Sequence, residues 1–262
     1  MNKKYFVPPI ILDLIRFSRS LKFRISSRKI LKQNLAFKDK YKDEDVFIIG
    51  NGPSLDLNYF DTLKDKNLIT MNDFHKSDFS KSLKIIAHCS GEPHSSNAWT
   101  DPSDMIENVN ADSFWFNIFD YKKMSGINTI YKDINYVNPG FESTAFSKKI
   151  ELDKTCFGYE TSAQLAIQVA IYMGFKNIYL LGFDHDWLAS PQYSKHFYSD
   201  AKQDNDMIHQ KSYLELISMC HRIWSIYFNL KVCAELKSAK IYNLSKNSFL
   251  DVFPVLDFND VA

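Results

Sequence analysis
Two stretches of this chain hold residues whose types and spacing can do chemistry. The first is Gly50-Asn51-Gly52-Pro53-Ser54, which follows four apolar, mostly β-branched residues, Val46 to Ile49. Glycines tolerate positive φ and let a ligand approach bare backbone. Asn51 offers a donor and an acceptor at the carboxyl end of the strand. Pro53 presets the first turn of a helix, and Ser54 can help cap it. Strand, Gly-rich turn and helix N-terminus would bring free N–H groups and the helix dipole to one point, which suits a phosphate. The turn is neither GxGxxG nor a P-loop, and no Lys-Ser/Thr pair follows it, which argues against ATP hydrolysis of the Walker kind. A plain tight turn in a doubly wound domain is the alternative. The second stretch is Asp184-His185-Asp186 with, beyond it, Tyr193-Ser-Lys-His196-Phe-Tyr198. Imidazole titrates near neutrality and serves as a general base, while phenols can hydrogen-bond an anion that forms as a bond breaks. A D-x-D triplet can hold a divalent ion through carboxylate oxygens. The triplet is short and common, and the expectation here is no metal.

The elements that must position these residues follow from the pattern of apolar residues. Strands are expected over 46–49, 67–72, 84–89, 113–119, 176–182 and 240–244. Several finish in polar residues, the habit of an open parallel sheet whose site lies along its carboxyl edge. Helices are expected over 57–63, 163–173 and 208–236, the last interrupted near Asn229. Thr161 or Ser162 can cap the helix at 163, and Gly174 ends it in the C′ position. The Ser, Pro, Asn and Asp crowded into 94–104 read as a loop. Residues 121–157 give weak signals with one or two short strands. Residues 189–206 are long, polar and Tyr/His-bearing, which reads as a lid over a site. The fold class expected is α/β, Rossmann-like and doubly wound, with a mostly parallel sheet, a lid insertion and an N-terminal amphipathic helical arm.

Composition bounds the rest. The 262 residues are 45% hydrophobic and 24% charged, as in an ordinary soluble globular protein. Aromatics are abundant, with 21 Phe and 14 Tyr, which suits a large core and a stacking ligand site. Cys89, Cys156, Cys220 and Cys233 form no CxxC, which points to a reducing compartment and away from zinc. Charge is uneven: residues 1–34 hold nine Lys or Arg against Asp13 alone, a net +8, which leaves −7 for the remainder of a chain whose total is +1. Pro8-Pro9 opens a helix whose Ile10, Leu14, Phe17 and Leu21 share one face beside Arg16, Arg19 and Lys22. Such a helix can lie on an anionic membrane surface, or dock on its own domain or a second subunit. No apolar run approaches the ~18 residues of a membrane span, and no secretory signal is evident. The expected division is 1–45, a basic arm and linker, and 46–262, the catalytic domain.

Three blocks line up in order: Ile-Ile-Gly-Asn-Gly-Pro-Ser-Leu at 48–55, the stretch from Thr161-Ser162 to Leu-Leu-Gly-Phe-Asp184, and Ile-Tyr-Asn-Leu-Ser at 241–245. Together they resemble the bacterial sialyltransferase superfamily, which transfers sugars from CMP-activated donors. They also resemble the related domain of motility-associated factors and of 6-hydroxymethylpterin diphosphokinase-like proteins. The resemblance covers about 46–250. It implies that Gly50, Asn51, Gly52, Ser54, Asn72, Thr161, Ser162, Gly182 and Asp184 bind the donor. It also implies a histidine base in the loop before the long helix. His196 and His209 both qualify; His196 is preferred because Tyr193 and Tyr198 beside it can contact the phosphate. His185 is a further catalytic candidate. The chain departs from the family pattern where His185 and Asp186 stand in place of a tyrosine after Gly-x-Asp. It departs again at the third strand, where His88 and Ser90 stand near an expected asparagine.

The implied activity is transfer of a sialic, nonulosonic or related acidic sugar from a CMP-linked donor to a glycan or glycolipid acceptor in surface-glycan synthesis. No cofactor is required on this reading. The expected setting is cytoplasmic, peripheral on the inner face of the membrane through residues 1–34, with no nucleic acid and with homo-oligomerisation left open. The alternatives are a pterin diphosphokinase using ATP and Mg²⁺, and a non-catalytic nucleotide-binding scaffold of a glycan-assembly complex.

Overall fold
The computed structural model describes residues 27–92, 101–124, 132–139, 149–156, 158–186 and 212–261. Among the described residues eight strands form one sheet in the order β6-β5-β4-β3-β2-β1-β7-β8, and each of their pairings is parallel. The strands are β1 (Asp45–Ile49), β2 (Leu68–Met71), β3 (Ala87–Ser90), β4 (Ser113–Asn117), β5 (Asp133–Pro139), β6 (Thr155–Cys156), β7 (Asn177–Leu181) and β8 (Lys240–Asn243). Helices among the described residues include α1 (Tyr59–Leu63), α2 (Pro102–Asn108), α3 (Tyr121–Met124), α4 (Ser162–Met173) and α5 (Tyr213–Leu236). The chain winds outward from β1 to β6, then returns to place β7 and β8 on the other side of β1. The strand order therefore reverses between β1 and β7, and α/β sheets bind ligands at such a switch point.

Parallel sheets are covered on both faces, so their strands are apolar throughout. The alternation of side chains divides β1 between two cores. Val46 and Ile48 pack with Ile178, Leu180, α4 and α5. Phe47 and Ile49 pack with Tyr179, Leu181, Phe60 and Phe74 on the opposite face. α4 lies flat on the sheet because Ala166 and Ala170, both fully buried, let its backbone approach closely. Of the two candidate caps it is Thr161 that holds the N-terminus, in a capping box with Gln164, and Gly174 ends the helix at φ 91° where the sequence put it.

The structure corrects several local expectations. No helix starts at Pro53-Ser54: both residues are exposed in a turn, and α1 begins only at Tyr59. The expected loop over 94–104 overlaps α2, whose N-cap Asp101 accepts from the Ser103 N–H ahead of Pro102. The long helix runs unbroken through Asn229, which is buried. Residues 27–45 are packed on the sheet, with Leu31 and Phe37 buried. The Asn34 amide in this stretch donates to the carbonyls of Tyr136 and Leu152 at 2.8 and 2.7 Å. The amphipathic helix expected after Pro8-Pro9 and the lid expected over 189–206 lie outside the described residues. Among the described residues no helix is long and apolar enough to cross a membrane.

Candidate functional site
β1 and β7 run in register to their last residues, Ile49 opposite Leu181. The chain leaves both strands side by side, as Gly50-Asn51-Gly52 and as Gly182-Phe183-Asp184. The two turns are bonded together. Gly50 N–H donates to Leu181 O at 2.7 Å and Gly52 N–H to Gly182 O at 3.0 Å. Ser54 N–H donates to Asp184 Oδ2 at 3.1 Å. Three N–H groups that the turn was expected to offer a phosphate are thus engaged within the protein. The glycines are required by this close approach. A Cβ at residue 50 would lie 2.5 Å from Gly182 O, and one at residue 52 would lie 2.0 Å from Asp184 Oδ2. Gly182 itself has φ 69°, which suits glycine. Behind it, the residues after β8 hold the β7 turn. Ser245 Oγ accepts from Phe183 N–H at 3.0 Å, and Phe249 N–H donates to Asp184 O at 2.9 Å.

Above the joined turns lies a cleft of about 250 Å³. Gly50, Asn51 and Gly52 line it, facing Met71-Asn72 after β2, Thr161 to Ala163 at the start of α4, and Gly182 to Asp186 after β7. The Asn51 amide reaches Met71 O at 3.5 Å, which ties it to the end of β2. Asn72 has φ 48°, a left-handed backbone that asparagine tolerates better than most residues. Beneath it, His88 Nδ1 lies 2.8 Å from Thr70 Oγ1, and burial pushes this imidazole down to about 3. Ser162 Oγ accepts from Gly91 N–H at 2.8 Å, which fixes the start of α4 against the end of β3. The positive end of this twelve-residue helix opens on the cleft, a position that favours an anion.

Of the residues expected to bind a donor, Gly50, Asn51, Gly52, Asn72, Thr161, Ser162, Gly182 and Asp184 meet around this one cleft. Ser54 is exposed and joins it through its backbone N–H on Asp184. His185 is also on the cleft wall but is buried, with Nε2 2.9 Å from Tyr227 Oη. Burial pushes it down to about 4, so the ring is neutral at pH 7. His196, Tyr193 and Tyr198, and the rival His209, lie outside the described residues. Among the described residues no group of three His, Cys, Asp or Glu side chains is arranged to hold a metal ion. All four cysteines are free and buried.

Several contributors were not found by sequence reasoning. Glu92 and Glu160 line the cleft, and Glu160 is paired with Arg222 of α5 at 2.9 Å. Gln164 accepts the Glu160 N–H at 2.8 Å and donates to Ile223 O at 2.9 Å, which bolts the start of α4 to α5. The capping-box spacing Thr161-x-x-Gln164 was a usable signal for Gln164. Tyr227, in the middle of a long helix, gave none.

No family model and no curated protein matches the chain. Solved structures do. The sialyltransferase CstII from Campylobacter jejuni, in complex with the substrate analogue CMP, is 21% identical with a TM-score of 0.51, covering 83% of this chain and 86% of that one. The MAf glycosyltransferase from Magnetospirillum magneticum AMB-1 is 13% identical with a TM-score of 0.48, and the match covers 90% of this chain but 39% of that longer protein. The chain shares with the CstII structure the α/β fold that its sequence led one to expect.

Proposed function
We propose that this protein is a glycosyltransferase that takes its sugar, a sialic, nonulosonic or related acidic sugar, from a CMP-linked donor and passes it to a glycan or glycolipid acceptor. One observation carries the reading. Asn51, Asn72 and the Thr161-Ser162 start of α4 converge on one cleft at the β1/β7 switch point, in a fold shared with a CMP-bound sialyltransferase structure. On this reading the amides of Asn51 and Asn72 recognise the nucleotide, and the α4 N-terminus faces its phosphate. In the reaction an acceptor oxygen bonds to the anomeric carbon. The bond from that carbon to the phosphate oxygen breaks, CMP leaves with the electron pair, and the acceptor proton passes to a base. A histidine of the 187–211 segment is that base, His196 or His209. His185 is buried and neutral, already bonded to Tyr227, and is a poor candidate for it.

The test is a thermal-shift series with CMP, CDP, UDP, GDP and ATP, each with and without Mg²⁺. At a hundredfold excess over Kd a ligand adds about 2.7 kcal/mol to the native state, or about 5–10 °C for a domain of this size. CMP should stabilise the protein without Mg²⁺. Stabilisation by ATP with Mg²⁺ alone would favour the diphosphokinase reading, and no shift with any nucleotide would sink both.

A further inference from the structure
The carboxylates of Glu92, Glu160, Asp184 and Asp186 line the nucleotide cleft, and among its described lining residues there is no Lys or Arg. A phosphate entering such a cleft meets like charge, so the partner of each carboxylate decides how well the anion is tolerated. Asp184 accepts from the Ser54 N–H. Glu160 is the more exacting case, because it directly precedes Thr161, the N-cap of α4. A carboxylate there is drawn to the same positive helix end that the phosphate would use.

Glu160 is instead held by Arg222 of α5. Arg222 Nε donates to Glu160 Oε1 at 2.9 Å and Nη2 to Oε2 at 3.4 Å, while Nη1 donates to Ser218 O at 3.4 Å. One use for such a pair is to bolt α4 to α5, but a separate bolt already exists. Gln164, fully buried, accepts the Glu160 and Thr161 N–H groups at 2.8 and 3.3 Å and donates to Ile223 O at 2.9 Å. The Arg222 and Glu160 side chains are 40% and 25% exposed. An ion pair this open to water adds only about 0–1 kcal/mol to stability. The charge of Arg222 therefore matters more than its strength as a fastening.

We infer that Arg222 is a positioning residue for the nucleotide and acts through Glu160. It holds that carboxylate on α5 and cancels its charge, which leaves the start of α4 to the phosphate. The inference rests on the nucleotide site proposed above. Arg222 does not line the cleft, so its effect on a ligand passes through the charge of Glu160. The two residues then act with opposite signs. Removing Arg222 bares a charge that repels the phosphate, and removing the charge of Glu160 takes that repulsion away. A pair that merely fastened two helices would weaken binding whichever member was lost.

CMP titrations into the full chain at two salt concentrations test it. At low salt Arg222→Ala should bind CMP about tenfold more weakly, Glu160→Gln at least as tightly as wild type, and the double variant within about twofold of wild type. The Arg222→Ala loss should shrink in about 1 M salt, where charges are screened beyond about 3 Å. Losses of similar size in both single variants and the double variant would overturn the inference, as would wild-type affinity in Arg222→Ala at low salt. Unfolding of Arg222→Ala, read by circular dichroism, would also overturn it, because the pair would then be a fastening. In each of those cases wild type still binds CMP and the nucleotide reading stands. No CMP binding by wild type would remove that reading and this inference with it.

Discussion

Replacing Gly52 by alanine should loosen the switch point from one side. The new Cβ would sit 2.0 Å from Asp184 Oδ2 and 2.6 Å from Gly182 O. Asp184 can swing away only by giving up its bond to Ser54 N–H at 3.1 Å, a charge-assisted bond of about 1.5–3 kcal/mol. The Gly182 carbonyl is backbone, so relief there must open the Gly52 N–H to Gly182 O bond of 3.0 Å, at about 0.5–1.5 kcal/mol plus overpacking strain of about 1–3. The expected loss is about 3–7 kcal/mol, a large fraction of the about 5–15 that holds a domain folded. Removing the Asp184 side chain should recover part of it, so Gly52→Ala with Asp184→Ala should lose about 1–2 kcal/mol less than the sum of the single losses. Gly50 is the control. All its close contacts are backbone atoms of Leu181 and Gly182, so Asp184→Ala should rescue nothing in Gly50→Ala. Urea unfolding read by circular dichroism measures each cycle. An unchanged midpoint in Gly52→Ala, or equal coupling of Asp184 to both glycines, would refute the close-approach argument.

Acid should destabilise the fold well before carboxylates dominate. His88 and His185 are lowered from 6.5 to about 3 and about 4 by burial, so the unfolded chain binds protons that the folded one refuses. Stability is then lost as pH falls below 6.5 and levels off below the folded values. The pair should cost about 4 kcal/mol between pH 7 and pH 5, and a flat urea midpoint over that range would contradict it. Deleting 1–26 should weaken binding to anionic vesicles, whereas deleting 1–34 also removes buried Leu31 and Asn34 and should unfold or strongly destabilise the protein. Undiminished flotation of the shorter chain with vesicles would rule out a lipid role for that segment. His196→Ala should reduce transfer by ~10²–10⁴ with CMP binding kept, and His209→Ala should keep most activity. The reverse result would move the base to His209, and two fully active variants would end the histidine-base mechanism.

How much could be read from residues alone depended on the range of the interactions. The strand at 46–49, the Thr161 cap and the Gly174 stop are local chemistry, and each sits where pattern and propensity put it. The Asp101-Pro102 start of α2 was equally local, but it stood in a crowd of Ser, Pro and Asn that read as loop. Residues 37–45 read as a linker because they are charged. Their charges stay at the surface while Asp39 and Tyr41 N–H groups bond the last turn of α4, at Tyr172 O and Met173 O. Phe37 meets Trp115 edge-on at 5.3 Å. The residues expected to bind a donor came from the resemblance, and all of them except Ser54 line one cleft. What the motif concealed is how its N–H groups are spent. The bonds from Gly50, Gly52 and Ser54 cross to residues some 130 positions later, and no window of sequence shows such a pairing. The same holds for Tyr227, whose partner His185 lies 42 residues earlier.

The most direct measurement is a calorimetric titration of CMP, without Mg²⁺, into wild-type protein and into Asn51→Ala. Asn51 stands at the centre of the β1 turn, on the floor of the cleft, and its substitution leaves both glycine bonds to β7 in place. Wild type should bind one CMP per chain. Asn51→Ala should fold with an unchanged urea midpoint and bind about tenfold or more weakly, the loss expected when a site that hydrogen-bonds its ligand is left unpaired. Equal affinity in the two proteins, or no CMP binding by wild type, would contradict the account.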